Sequence, residues 1–555
     1  MKAEKHLIAG LACLALAGAG NGPVQAQEGP DFAQARVRAT RFDRAVSAAD
    51  RVMRVWLTHA DERTLLLPDR VPGRGSGLPP GVTKREYTPH NSGADLYPYL
   101  ILTAHLTDPS LVDGRLTAML RNEVRYTTSA DTSVPGPLNL DTGVVGPPSL
   151  FGAGEYAKDG LVTVTEYLGR TMWYARMVDM IADAMGRAPV ASRFGQLPAS
   201  DSELNGDYLQ VLARLGVMTG DQRFVEWARR IGDAYIEEVL PSNHGVPSSE
   251  WNFTSHSGKP RLRLRDHGNE LVVGLVLQYA LEHYWKTPRE ATWRPVIARM
   301  LDRILESANA DGMLYDEVDA ETLKPVTQRL SDNWGYVYVA VYTFYQCTGE
   351  TRYRDAVRRV LGNLPRYRNH AWEPRSDPSM PLGSFDGYAD SIESAIYLVN
   401  REPVPAALEW IDSEMQVMLG MQQPNGHIEH WYGEGNFNRT ALLYALMQSR
   451  GVRPAHWTSG TGVGAVPYDG GLAVHVAARA PLRVQFDYAR HRRVLNFDRN
   501  YVRLNEFPEW FVVDETALYR VTRAGAVDGE VRLGAELIGG IELAPGDWIV
   551  HPAPR

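Results

Sequence analysis

Two cysteines among 555 residues leave this chain almost no covalent cross-linking chemistry. Cys13 lies in an N-terminal leader, so the processed chain keeps only Cys347 and has no intramolecular disulfide even in an oxidising compartment. Stability has to come from packing. Basic blocks are also missing: 58 Lys and Arg stand against 66 Asp and Glu, for a net charge of -8, and no Lys/Arg stripe offers a nucleic-acid surface. The longest leader run, about a dozen apolar residues, falls short of the roughly 20 that span a bilayer. His244, His256 and His267 lack the i, i+4 spacing of a zinc helix, and no cysteine pair exists. Gly73-Arg74-Gly75-Ser76-Gly77 lacks the Lys-Ser/Thr of a P-loop, and no Gly-x-Ser-x-Gly elbow occurs. The expectation is a protein with no cofactor, no metal, no nucleic-acid partner and no membrane span.

The leader itself is readable. Lys2 and Lys5 make a positive start, Leu7 to Gly18 an apolar run, and Val24-Gln25-Ala26 a small-residue cleavage site, so residues 1–26 read as a signal peptide. Export to the periplasm or the medium follows. A lipoprotein reading through Cys13 fits less well, because Gly10-Leu11-Ala12 is a poor lipobox.

What the sequence does have is a repeat. Thr219-Gly220-Asp221-Gln222-Arg223-Phe224 and Thr348-Gly349-Glu350-Thr351-Arg352-Tyr353 are the same turn, each opening a helix of alternating apolar and charged residues. Degenerate copies lie at Lys286-Thr287-Pro288, Leu106 to Pro109 and Asn400 to Pro403. Gly or Pro ends one helix and a polar residue starts the next. The segments before these turns, such as Leu271 to Leu281, Val337 to Phe344 and Ile392 to Val399, are apolar on nearly every side; those after them are amphipathic. An inner and an outer layer of helices satisfies the pattern. The fold class expected is mainly α: an α/α barrel, or toroid, of about six helical hairpins over residues 27–454, with an open solenoid as the alternative. Long connections, Asp61 to His90, Thr128 to Asp159 and Ser242 to Arg265, would gather at one mouth. Beyond residue 455 short β-rich runs, among them Leu472 to Ala477, Leu482 to Tyr488, Trp510 to Val513 and Leu518 to Val521, read as a C-terminal β-sandwich over 455–555.

Polar residues collect where the inner helices begin. The clusters are His90 to Asp95; Glu203 to Tyr208; Arg265 to Glu270; Ser331 to Tyr336; Asp386 to Ser391 with Glu393; and Glu429 to Trp431 with Glu434, Asn436 and Arg439. Asp, Asn and Ser at helix starts are ordinary caps. Capping does not call for Trp334, Tyr336, Tyr388, Trp431, Arg265 and His267 in the same stretches, and that coincidence makes a binding mouth the better account. His267, between Asp266 and Glu270, is the histidine best placed for a catalytic part.

A polar, aromatic-lined cup with carboxylates suits glycosidic-bond cleavage, which needs one carboxylic acid and a second carboxylate as base or nucleophile. Asp332 with Asp390 or Glu393 is the acid pair expected, and Trp334, Tyr388 and Trp431 are the expected sugar platforms. Asp95, Asp207, Arg265, Asn269, Glu270, Asn333 and Arg439 complete the expected substrate-binding set. A lyase would instead use His267 or Tyr388 as base, with Arg265, His267 and Asn269 on a uronate carboxylate. A non-catalytic glycan-binding protein is the third reading. With the leader, the Thr-Gly-Asp/Glu-x-Arg-Phe/Tyr turns, the Asp-Asn-Trp-Gly-Tyr helix start and the β-rich tail, the chain resembles bacterial α/α-barrel carbohydrate-active enzymes: glycoside hydrolases, including the unsaturated-glucuronyl hydrolase type, and α/α-barrel polysaccharide lyases. The resemblance implies an exported enzyme acting on a polysaccharide or its oligosaccharides. The Asn-Asn-His-Ser stretch of some α/α lyases is absent.

Overall fold

The computed structural model describes residues 29–79, 82 and 85–554. The signal peptide expected at residues 1–26 lies outside them. The chain is mainly helical. The repeated turns are helix-to-helix corners: Gly220 and Gly349 close their helices with φ of 71° and 73°, a left-handed conformation that favours glycine. Asp221 then starts the next helix by accepting the Arg223 backbone N–H at 2.9 Å.

Among the described residues, seven segments are buried nearly all round: Tyr97–Thr107, the stretch 150–168, Ser202–Thr219, Glu270–Tyr284, Trp334–Thr348, Phe385–Val399 and Glu434–Ser449. Each packs on the next in chain order, and Glu434–Ser449 packs back on Tyr97–Thr107. Amphipathic helices cover them from outside. Gln222–Ala234, for example, buries Phe224, Ala228 and Ile231 at helical spacing and packs on Ser202–Thr219. The last pair joins distant parts of the sequence, because Phe32–Thr58 packs on Glu434–Ser449. Seven such pairs exceed the roughly six expected for two reasons. Phe32–Thr58 and Glu434–Ser449 pair across about 400 residues of sequence, and 150–168, broken by Gly152, Gly154 and Gly160, lies partly in what reads as a long connection.

Part of that segment is π-helical, at Tyr156–Leu161, and so is Pro89–Leu96 ahead of Tyr97–Thr107. A π turn carries an extra residue and re-aims the side chains around it, which is why such turns collect at functional sites.

The C-terminal strands form two antiparallel sheets. The larger has the order Gly462–Tyr468, Gly471–Ala477, Gly546–Pro552, Leu518–Arg523, Glu530–Leu533; the smaller has Ile541–Leu543, Leu482–Gln485, Arg453–Pro454. Val463, Val474, Val521 and Val550 of the first share an apolar cluster with Val484 and Leu543 of the second. Trp510 to Val513 is not a strand; Val512 makes one isolated bridge to Asp487. The larger sheet lies directly on Phe32–Thr58. A Cβ at Gly462 would stand 2.3 Å from Ala39 O, and one at Gly464 2.0 Å from Ala35 O, so only glycine allows this approach. The stretch 494–507 departs from the sheets and joins the helical core through Leu495, Phe497, Val502 and Leu504. Hydrogen bonds from Thr343 Oγ1 to Val502 O (2.7 Å), Arg214 Nη2 to Leu504 O (2.6 Å) and Thr163 Oγ1 to Asn505 O (3.1 Å) fix it there.

Candidate active site

A cavity of about 150 Å³ opens among the starts of the buried helices. Asp95 comes from the π-helical Pro89–Leu96, Lys158 and Asp159 from Tyr156–Leu161, and Glu270 and Asn333 from the next helix starts. Tyr336, Asp386, Asp390, Asn436 and Arg439 line its other side, with Trp431 and Tyr432 at the preceding loop. The two aromatic residues are held by a loop pairing: Val71 N donates to His430 O at 3.0 Å, Tyr432 N donates to Asp69 O at 2.8 Å, and Arg70 bridges Trp431. Asp69 is in turn locked by Thr88, Asn91 and Ser92.

Two buried cations organise the floor. Lys158 Nζ sits 2.9 Å from Asp159 Oδ1, 2.8 Å from Glu270 Oε1 and 3.8 Å from Asp207 Oδ1. Burial opposes its charge, but these carboxylates outweigh that and keep the ammonium protonated. Asn505, in a left-handed conformation (φ 54°), supports the pair from the far side by donating to Lys158 O at 3.0 Å and Asp159 Oδ1 at 3.1 Å. Arg439 Nη2 donates to Asp390 Oδ1 at 3.1 Å, and its Nε pairs with Glu393. The Tyr336 hydroxyl lies 3.2 Å from Asp390 Oδ1 and 3.1 Å from Glu393 Oε1, while Tyr397 donates to Glu393 at 2.9 Å.

Asp386 and Asp390 are one turn apart on Phe385–Val399 and face the same way. Burial pushes both carboxyls well above their usual range; Glu373 adds to the effect on Asp386, and Asp386 to that on Asp390. Arg439 pulls Asp390 back towards the anion. Asp386 instead accepts the neutral Asn436 amide at 3.1 Å. Both carboxyls therefore favour the proton, but their partners differ: Asp390 has the Arg439 guanidinium in contact, which opposes the rise, while Asp386 has a neutral amide.

Of the residues nominated from sequence, Asp95, Glu270, Asn333, Asp390, Trp431 and Arg439 line one cavity. The others do not. Glu393 is buried beneath it, with 0% of its side chain exposed against 19% for Asp390. Asp332 is buried beside Arg329, at 3.5 Å, and Asp207 is buried near Lys158. Asn269 is spent on Leu264 O (3.0 Å) and Asn333; Arg265 is half-buried and outside the lining. Trp334 and Tyr388 are fully buried, and the Trp334 ring N–H donates to Ser391 inside the helix packing. That corrects their reading as sugar platforms and removes Tyr388 as a base. His267 lies on the short turn Asp266–Asn269, and its side chain is outside what is described. Asp386, Tyr336 and Asn436 fall in clusters named from the sequence without being given a site role there. Lys158 and Asp159 had no such signal. Among the described residues, no group of three or more His, Cys, Asp or Glu is arranged to hold a metal ion, and no helix is long and apolar enough to cross a membrane.

No family model and no curated protein matches the chain. Solved structures similar to it include an unsaturated glucuronyl hydrolase from a Bacillus species, responsible for degradation of glycosaminoglycan, the enzyme type named from the sequence. It is 14% identical, with 56% of this chain and 88% of that one covered and a TM-score of 0.39. A cellobiose 2-epimerase from Bacillus thermoamylovorans is 9% identical over 74% of this chain and 100% of that one, with a TM-score of 0.42. A family 76 glycoside hydrolase from a bovine Bacteroides thetaiotaomicron strain is 10% identical over 73% and 78%, with a TM-score of 0.41.

Proposed function

We propose that this chain is an exported carbohydrate-active enzyme that hydrolyses glycosidic bonds, its helices forming an α/α barrel of seven hairpins with a β-sandwich behind the first helix. Residues 1–26 are its signal peptide, 27–454 its catalytic module and 455–555 its sandwich module. The observation that carries the reading is the pair Asp386 and Asp390, two carboxyls on one cavity wall, one in contact with a neutral amide and the other with a guanidinium. Asp386 serves as the acid that protonates the leaving oxygen. Asp390, which Arg439 pulls towards the anion, serves as the carboxylate that activates water or attacks the sugar. Trp431 and Tyr432 provide faces on which a sugar ring stacks.

This assignment replaces Asp332 and Glu393 with Asp386, for a physical reason. A general acid must reach the glycosidic oxygen, and Glu393 is occupied by Arg439, Tyr336 and Tyr397 below the cavity floor. A lyase reading loses Tyr388 as base. The test is incubation with a panel of plant, algal and microbial polysaccharides in oxygen-18 water. New reducing ends, each carrying one labelled oxygen and with no rise in ultraviolet absorbance, are expected. A rise from conjugated double bonds would replace hydrolysis with elimination.

A further inference from the structure

We infer that the sugar unit seated in this cavity carries no anionic substituent: the substrate is a neutral or amino-sugar glycan, and uronic-acid and sulfated glycans are refused. The inference rests on the glycosidase reading for the identity of the ligand as a sugar, but its content is the charge of the site. Five carboxyl groups line the cavity (Asp95, Asp159, Glu270, Asp386, Asp390) against two cations (Lys158, Arg439), so that even with Asp386 and Asp390 protonated the carboxylates outnumber the cations. Neither cation is available to an incoming anion. Lys158 is held between Asp159 and Glu270, and Arg439 between Asp390 and Glu393.

A uronate carboxylate entering here would add a further anion to this carboxyl-rich lining with no arginine or lysine free to receive it. A like charge about 4 Å away in a partly buried site weakens binding on the order of 100-fold or more. The uncharged polar groups suit a hydroxylated ligand. Asn436 lines the cavity and is about nine-tenths buried, and its Oδ1 has no hydrogen-bond partner among the described residues while its amide serves Asp386. A buried acceptor left open in this way is satisfied by a ligand hydroxyl or ammonium, both donors, and not by a carboxylate. Trp431 beside it supplies an apolar face for the ring.

Saturation-transfer NMR of the full chain at neutral pH tests this directly, with three matched sets of free sugars: glucose, galactose and mannose; their 2-amino counterparts; and their uronates. At least one neutral or amino sugar is expected to bind, with every uronate on the order of 100-fold weaker, and Trp431→Ala and Asn436→Leu, each checked for folding by circular dichroism, are expected to abolish the signal. A uronate that binds as well as its neutral counterpart, with the signal lost in either variant, would overturn the inference. Cleavage of a uronic-acid polymer into labelled reducing ends would do the same while leaving the hydrolase reading intact. If neutral or amino sugars bind but no polysaccharide is cleaved, the charge selection stands and the hydrolase reading fails. If no sugar of any class gives a signal that the variants remove, both fail.

Discussion

Replacing Arg439 by Met tests whether one buried guanidinium holds both the floor of the cavity and the charge of its working carboxylate. Only 4% of the Arg439 side chain is exposed, and it is shared between Glu393, which has 0% exposed, and Asp390. Removing one partner of a buried ion pair typically costs about 3–5 kcal/mol, because the other charge stays behind without compensation. Glu393 keeps hydroxyls from Tyr336 and Tyr397, so the lower end, about 3 kcal/mol, is expected. Glu393→Gln in the same background removes the stranded charge yet still accepts from both tyrosines, and should recover at least about 1 kcal/mol. Urea unfolding at neutral pH, followed by circular dichroism across the four members of the cycle, reads these differences. A cost below about 1 kcal/mol for Arg439→Met, or strictly additive effects in the double variant, would refute the ion-pair account.

Two further predictions follow from the same geometry. Burial pushes Asp332 up to about 7 against the pull of Arg329, with Glu373 and Asp316 adding to the rise. The folded protein therefore keeps a proton that the unfolded chain gives up, and the stability this group contributes is full in acid and lost as pH rises to about 7. Asp332→Asn should accordingly gain on wild type by about 1.4 kcal/mol per pH unit between roughly pH 5 and pH 7, then level off; a gain independent of pH in unfolding experiments would contradict this. A Cβ at Gly435 would stand 1.7 Å from Asp95 O. Gly435→Ala is therefore expected to cost about 1–3 kcal/mol or more and to displace Asp95, lowering turnover on any cleaved substrate, whereas a variant of wild-type stability and rate would show that the two helix starts can move apart freely.

The helical layers were legible because they rest on local signals. The left-handed glycines at 220 and 349 and the Asp221 cap are visible as residue types, and a helix buried all round, such as Trp334–Thr348, shows no polar face. The pairing of Phe32–Thr58 with Glu434–Ser449 was not legible, since nothing local tells one amphipathic helix which distant partner it covers. The site divided along the same line. Polar clusters at helix starts led to Asp95, Glu270, Asp390 and Arg439, but depth within the cluster depends on which turn faces the axis. Asp386 and Glu393 stand on the same helix with opposite fates, one on the cavity wall and the other sealed under it. Trp334 and Tyr388 looked like exposed platforms because aromatics at helix starts suit either role. Lys158 and Asp159 were hidden in a segment whose glycines at 152, 154 and 160 read as a loop.

The most direct test of the central claim is the rate of reducing-end release by Asp386→Asn and Asp390→Asn on whichever polysaccharide the wild type cleaves, with both variants first shown to fold and to bind the product sugar. Loss of an acid or base acting in the transition state is expected to slow turnover by about 10²–10⁴-fold while leaving binding nearly unchanged. Turnover within a few-fold of wild type in either variant would contradict the assignment of this cavity wall as the acid–base pair.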